Sequence, residues 1–252
     1  GTEMGQSFAG LGSKVIIIEM MDRIVPPLDH EVSAELTKII KKKGMTVITS
    51  ARITEIVDKG DKLEIKIDGK EPVIADKALI SIGRVPDLDG IGEMKFETER
   101  GKIKVDKYME TSVKGIYAPG DVNGIKMLAH VAFRMGEVAA ENAVKGNERS
   151  IRLLSAPSVV YTSPEVAMVG LTEEEARAKY DDIRIGRFSF AANGRALASS
   201  EAHGFVKVIA DNRYGEVLGV HIIGPSAAEI ITQASLIMEM EIPVDEVIKT
   251  IY

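Results

Sequence analysis

Two carboxylates stand where open α/β sheets place their ligand-binding groups. The first is Asp121, which closes the stretch Gly115-Ile116-Tyr117-Ala118-Pro119-Gly120-Asp121. Ile116 to Ala118 read as a short buried strand that Pro119 and Gly120 break, and an amphipathic helix is expected from Met127. Ligands of such sheets sit at the carboxyl ends of strands, beside helix N-termini. A carboxylate there repels phosphate but accepts hydrogen bonds from sugar or ribityl hydroxyls. The competing reading is an Asp that caps the loop before the helix and binds nothing.

The second carboxylate is Glu19, at the end of the apolar run Val15-Ile16-Ile17-Ile18, which suits a strand buried on both faces. Ahead of it, Gly1 to Gly12 read as a helix already under way, with Glu3 in its first turn, where the dipole favours an acid. Helix, tight turn, buried strand and terminal acid make the second half of a dinucleotide-binding βαβ unit, with Gly1 as the third glycine of its phosphate-binding turn. The first strand and the first two glycines are expected to be missing. Glu19 would then accept both ribose hydroxyls of an adenosine, in charge-assisted bonds worth ~1.5–3 kcal/mol. A 2′-phosphate would be repelled, so NAD is favoured over NADP. A solvated glutamate ending a strand is the alternative.

These groups need a scaffold, and 252 residues suffice for one large or two ordinary domains. Asp29 is placed to cap a helix from His30 to Lys43, whose apolar face carries Val32, Leu36, Ile39 and Ile40. Lys41-Lys42-Lys43 at its end reads as solvated charge. Residues 52–57 and 63–67 alternate by twos, Asp68-Gly69 is a hairpin turn and 72–75 return, making a β-meander. Ala78 to Gly83 reads as another buried strand. Beyond Gly146, which ends the helix from Met127, the texture changes. Strands are expected at 158–161, 166–169, 184–190, 205–210 and 216–223, with a capping box at Thr172 to Glu175 and helices starting at Ser226 and Pro243.

Composition excludes several classes. Net charge is −6 with both signs mixed, which argues against a nucleic-acid surface. No apolar run approaches the roughly 18 residues a membrane span needs, and no signal peptide is expected from the opening residues. There is no cysteine, hence no disulfide, thiolate metal site or thiol nucleophile, which fits a cytoplasmic protein. No two of the four histidines show metal-ligand spacing, so no metal is expected. His30, His203 and His221 read as surface or satisfied core residues.

Gly115-Ile-Tyr-Ala-Pro-Gly-Asp121-Val, followed by Met127-Leu-Ala-His130, resembles the second FAD motif of the flavin-dependent pyridine nucleotide-disulfide oxidoreductases. The resemblance implies FAD contacts at Asp121, for the ribityl chain, and at Met127, Leu128, Ala129 and His130, whose backbone passes along the flavin. For NAD it implies Gly1 and Glu19, with Glu3 near the nicotinamide, Ile53 beside the adenine and Gly83 in the segment that returns to the FAD domain. Tyr161-Thr-Ser-Pro-Glu165-Val-Ala-Met-Val-Gly170, Asn193-Gly-Arg-Ala-Leu-Ala198 and Gly204-Phe-Val-Lys-Val208 are similar to the dihydrolipoamide dehydrogenase branch of that family. The implied fold class is α/β. A truncated Rossmann-like NAD-binding domain with a β-meander (1–83) is followed by part of the FAD-binding domain (84–150) and an α+β interface domain with an antiparallel sheet (151–252).

The implied activity oxidises protein-bound dihydrolipoamide through an enzyme disulfide and FAD to reduce NAD, in a homodimer serving lipoyl-bearing subunits of 2-oxo acid dehydrogenase complexes. The cysteine pair and the His–Glu pair of that chemistry have no counterpart here, so the chain reads as an inactive fragment without catalytic residues. Two alternatives remain: another two-dinucleotide-fold flavoprotein, such as a soluble transhydrogenase or NADH oxidase, and a non-catalytic nucleotide-binding or dimerisation module.

Overall fold

The apolar and polar patterns become elements in the order the sequence sets. A computed structural model describes residues 1–251; Tyr252, the last residue of the expected interface domain, lies outside them. Helix α1 (Thr2–Gly10) leads into β1 (Ile16–Ile18), α2 (His30–Lys42) and β2 (Thr46–Ile48), followed by the meander β3 (Ile53–Asp58), β4 (Leu63–Ile67) and β5 (Lys70–Ala75). A small hairpin, β6 (Thr98–Glu99) and β7 (Lys102–Ile103), precedes α3 (Ala129–Lys145). The remainder runs β8 (Ser158–Val160), β9 (Glu165–Gly170), α4 (Glu173–Lys179), β10 (Ile183–Ser189), α5 (Gly194–Ala198), β11 (Phe205–Asp211), β12 (Val217–Gly224), α6 (Ala227–Glu239) and α7 (Val244–Val247). These elements form two compact units, one of Gly1–Ser81 with the residues from Pro157 onward, the other of Ile82–Ala156.

In the first unit, β1 and β2 pair in parallel, Ile17 opposite Val47. The meander supplies Ile65 and Ile67, which pack with Ile18 and Ile48. α2 covers other apolar groups: its Val32, Leu36, Ile39 and Ile40 pack with Ile17 and Val47 of the parallel pair and with Val166 and Ile223 of the large sheet. That sheet has five antiparallel strands in the order β10-β11-β12-β9-β8, and its central β12 is buried along its whole length. α4 opens with the expected capping box, Thr172 accepting the Glu175 N–H while Glu175 accepts the Thr172 N–H.

A buried ion cluster joins α2 to this sheet. Asp29 caps α2 as expected, accepting the Glu31 N–H, but is itself almost fully enclosed. The buried Lys207 Nζ lies 2.9 and 3.0 Å from its two oxygens, 3.1 Å from Glu31 Oε2 and 2.7 Å from Glu173 Oε2. Arg187 forks onto both Glu31 oxygens at 2.7 and 2.9 Å, and Arg177 holds Glu173 at 2.7 Å. Three carboxylates thus meet three cations, which offsets the cost of burying charge.

In the second unit, α3 packs Val131, Met135, Val138 and Ala139 against Met109, Tyr117, Leu128 and Leu153. Asn142, buried in α3, donates to Tyr108 O and Arg149 O and accepts the Arg149 N–H.

Two expected strands do not form. Residues 78–83 lie outside any ladder, and Leu79, Ile80 and Ile82 are 59, 68 and 94% exposed. A strand buried on both faces needs a paired neighbour, and the β1–β2 ladder has no third member among the described residues. Ile116 to Ala118 contribute only an isolated bridge, Tyr117 to Glu110. A ladder cannot extend through Pro119, which has no N–H to donate. The helix expected from Met127 begins at Ala129, with Leu128 extended as its N-cap.

Candidate functional site

In the first unit the helix–turn–strand start places the nucleotide candidates. Gly1 is the N-cap of α1, and no side chain caps that helix. Its amide dipoles therefore stay available at the N-terminus. Gly5 is buried against β1; a Cβ there would lie 3.4 Å from Val15 Cγ1. After the reversal at Leu11 to Ser13, β1 runs back alongside the helix, so Glu19 returns toward the level of the helix start. Glu19 Oε1 accepts the Met21 N–H at 2.9 Å, while its backbone pairs with Ile48 O and the Ala51 N–H. The other carboxylate oxygen has no protein partner among the described residues. Ile53, at the start of β3 opposite Ile67, is 41% exposed. Gly83, with φ +109°, lies in the other unit.

Glu3 has a protein partner that sequence reasoning did not supply. Its Oε1 accepts the Tyr161 N–H at 2.7 Å. Gln6 makes a reciprocal pair with Ser163, donating to its carbonyl at 2.9 Å and accepting its N–H at 2.5 Å. Lys43 Nζ adds 2.6 Å to the same carbonyl and 3.1 Å to Ser163 Oγ. Lys43 was expected to be solvated; it is exposed, yet it grips this loop. Glu3, Gln6, Lys43 and Tyr161 line an open cleft of about 510 Å³. The i, i+3 spacing of Glu3 and Gln6 was a signal that could have found this arrangement.

In the second unit the chain turns sharply at Gly120, with φ +83° and ψ −155°, a region only glycine occupies readily. A Cβ there would lie 3.3 Å from Ala132 Cβ on α3. The next residue, Asp121, starts a 3-10 turn (Asp121–Asn123) and is exposed. Its carboxylate caps nothing: the turn's N-cap is Gly120, and α3 has no side-chain cap either. Asn123, buried and missed from the sequence, shapes the loop by donating to Ala118 O at 2.9 Å and accepting the Ile125 N–H at 3.0 Å. Met127 and Leu128 are half-buried, and Ala129 and His130 exposed, at the start of α3. Asp121 and Met127 to His130 thus share one loop–helix junction, which combines a glycine cradle, an exposed carboxylate and a helix N-terminus. An exposed carboxylate can accept from sugar or ribityl hydroxyls, and an uncapped helix start with a glycine turn beside it lets a ligand approach the backbone.

Among the described residues no group of three or more His, Cys, Asp or Glu could hold a metal ion, and no helix is long and apolar enough to cross a membrane. His221 is buried on β12 with Nε2 2.9 Å from Leu171 O, and burial holds it below the usual imidazole range.

Comparison with known proteins defines the class. The family model described as pyridine nucleotide-disulphide oxidoreductase matches residues 1–136, and the model of that family's dimerisation domain matches 156–252. The chain belongs to the pyridine nucleotide-disulphide oxidoreductases. It is 42% identical to a dihydrolipoyl dehydrogenase of Thermus scotoductus, with 100% of this chain and 56% of that protein covered. To a dihydrolipoyl dehydrogenase of Bacillus subtilis it is 41% identical, with 97% and 54% covered. Among solved structures, LpdA of Mycobacterium tuberculosis superposes with a TM-score of 0.91 at 28% identity, covering 100% of this chain and 55% of that one. The copper(II) complex of the HOCl-induced flavoprotein disulfide reductase RclA of Escherichia coli gives 0.89 at 26%, covering 99% and 57%. The chain therefore spans about half the length of the relatives it matches.

Proposed function

We propose that this chain carries the NAD-reading surface, half of the FAD site and the dimer-forming part of a dihydrolipoyl dehydrogenase. The reaction oxidises the dithiol of protein-bound dihydrolipoamide to its cyclic disulfide. Two electrons reach NAD, giving NADH and a proton. In this reading residues 1–83 bind NAD, 84–150 belong to the FAD-binding domain and 151–252 form the homodimer interface. The partners are lipoyl-bearing subunits of 2-oxo acid dehydrogenase or related complexes, and the setting is the cytoplasm.

Glu19 is the observation that carries the reading. Its carboxylate ends a parallel strand, one oxygen fixed by Met21 N–H and the other directed to no protein group. That geometry receives ribose hydroxyls and rejects a phosphate ester. Gly1 lets a pyrophosphate approach the start of α1, where uncapped N–H groups favour negative charge. Glu3, held by Tyr161 N–H, stands at the nicotinamide end, Ile53 gives the adenine an apolar neighbour and Gly83 marks the return from the nucleotide site.

When bound, FAD supplies the two-electron relay between dithiol and nicotinamide. Asp121 accepts from its ribityl hydroxyls, and the Met127 to His130 backbone lines the ring system. The thiol exchange itself falls to residues this cysteine-free chain does not hold, so by itself the chain is inactive.

The test is a fluorescence titration with NADH and NADPH. NADH should bind more tightly. E19A should weaken it roughly 10- to 100-fold, as expected for loss of charge-assisted bonds, and erase the preference over NADPH. Equal affinities in the unaltered chain would overturn the assignment.

A further inference from the structure

Lys126 lies one residue before the expected flavin-lining segment and belongs to no motif. Its Nζ is 2.5 Å from Ala156 O and 3.4 Å from Leu153 O. The Ala156 N–H in turn donates to Leu153 O at 3.3 Å, so residues 153–156 form a turn whose two carbonyls converge on the ammonium. The side chain is half-buried, and no carboxylate pairs with it among the described residues. The enclosed Lys207, by contrast, meets three acids. A desolvated cation satisfied only by carbonyls is unusual, because burial penalises its charge without an opposite charge to repay it. Burial accordingly lowers the Lys126 pKa.

Its backbone occupies an equally specific place. Lys126 O accepts the Leu128 N–H at 2.9 Å, which fixes the extended residue from which α3 starts. Upstream the same loop is tied by Asn123 to Ala118 O and by Lys102 Nζ to Gly124 O at 3.0 Å. The loop from Asp121 to Leu128 thus has three side-chain tethers, and Lys126 is the one beside the helix start.

We infer that Lys126 is a positioning residue of the flavin site: its ammonium clips the 121–128 loop to the carbonyls of Leu153 and Ala156 and so fixes the Met127 to His130 backbone for the ring system. This rests on the flavin reading of that junction. The clip also leaves the lysine's positive charge uncancelled beside the backbone an electron-accepting ring would contact.

The experiment compares the full chain with K126M and K126R. Hydrogen–deuterium exchange of peptides spanning residues 120–130 reads the clip directly, without cofactor. K126M should exchange about tenfold faster there, equivalent to ~1.4 kcal/mol of local opening. K126R, which keeps donors and charge, should restore protection. FAD titration, read by quenching of flavin fluorescence, should follow the same order. Identical exchange in K126M and the unaltered chain would overturn the clip. Exchange that follows the expected order while FAD affinity is the same in all three chains would overturn the positioning role. No quenching by the unaltered chain, with D121N behaving identically, would instead remove the flavin reading itself.

Discussion

Lys207 has no access to solvent and yet keeps its charge. Burial pushes its pKa down, but the hydrogen bonds it donates to Glu173, Asp29 and Glu31 outweigh that and raise it. Burial pushes Asp29 up, and the bonds from Lys207 and the Glu173 N–H more than reverse this; Arg187 first, and Lys207 after it, lower Glu31. K207M should therefore destabilise the protein by ~3–5 kcal/mol, the effect of orphaning buried charge, whereas K38A, at an exposed pair, should cost at most ~1 kcal/mol. Denaturant titration checks both. The signs fix the pH dependence. The lowered carboxylates stabilise fully above their ordinary values near 3.8 and 4.5 and lose this as pH falls through their folded values. Raised Lys207 stabilises below 10.5 and loses this as pH climbs through its folded value. His221, buried and neutral, begins to subtract stability below about 6.5. Stability should form a plateau from near 6.5 to 10.5, and H221Q should remove the part of the acid decline that sets in just below about 6.5. Gly120 offers a different test: G120A, forced into a glycine-only conformation 3.3 Å from Ala132, should cost ~1–3 kcal/mol.

At the scale of elements, local rules were readable and distant ones were not. The α2 face, the meander hairpin and the Thr172 capping box follow from period, turn chemistry and spacing, and each stands where the sequence put it. The Asp29 cap was legible too, but its partner Lys207 lies 178 positions away, and no local pattern encodes such a pairing. The same reason hid the Lys126 clip and the Gln6 pair with Ser163. Both short apolar runs that failed as strands, 78–83 and 116–118, had strand composition without ladder neighbours; pairing is a property of the sheet and not of the run. Glu19 and Asp121 were singled out because a position at a strand end or turn is readable from its breakers, and they stand at the end of β1 and at a turn. The α1 clamp gives an element-scale prediction. Q6A combined with K43A should speed hydrogen exchange at Tyr161 to Ser163 while leaving β10 and β11 protected, since each lost bond is worth ~1 kcal/mol.

For the whole molecule, the match of residues 156–252 to a dimerisation domain coincides with exposed apolar side chains on and after α6, among them Leu236, Met240 and Ile248. Light scattering at rising concentration should show a dimer, and L236E should shift it toward monomer without lowering the thermal midpoint. Ala78-Leu79-Ile80-Ser81-Ile82 has a further consequence. It is uncharged, carries three large aliphatic side chains, is exposed throughout and lies outside any ladder, the makeup of a segment that can template its own kind. Gentle warming should therefore drive solutions of this chain toward fibrils that bind thioflavin, from this short window first, and a single lysine at Ile80 should keep them clear.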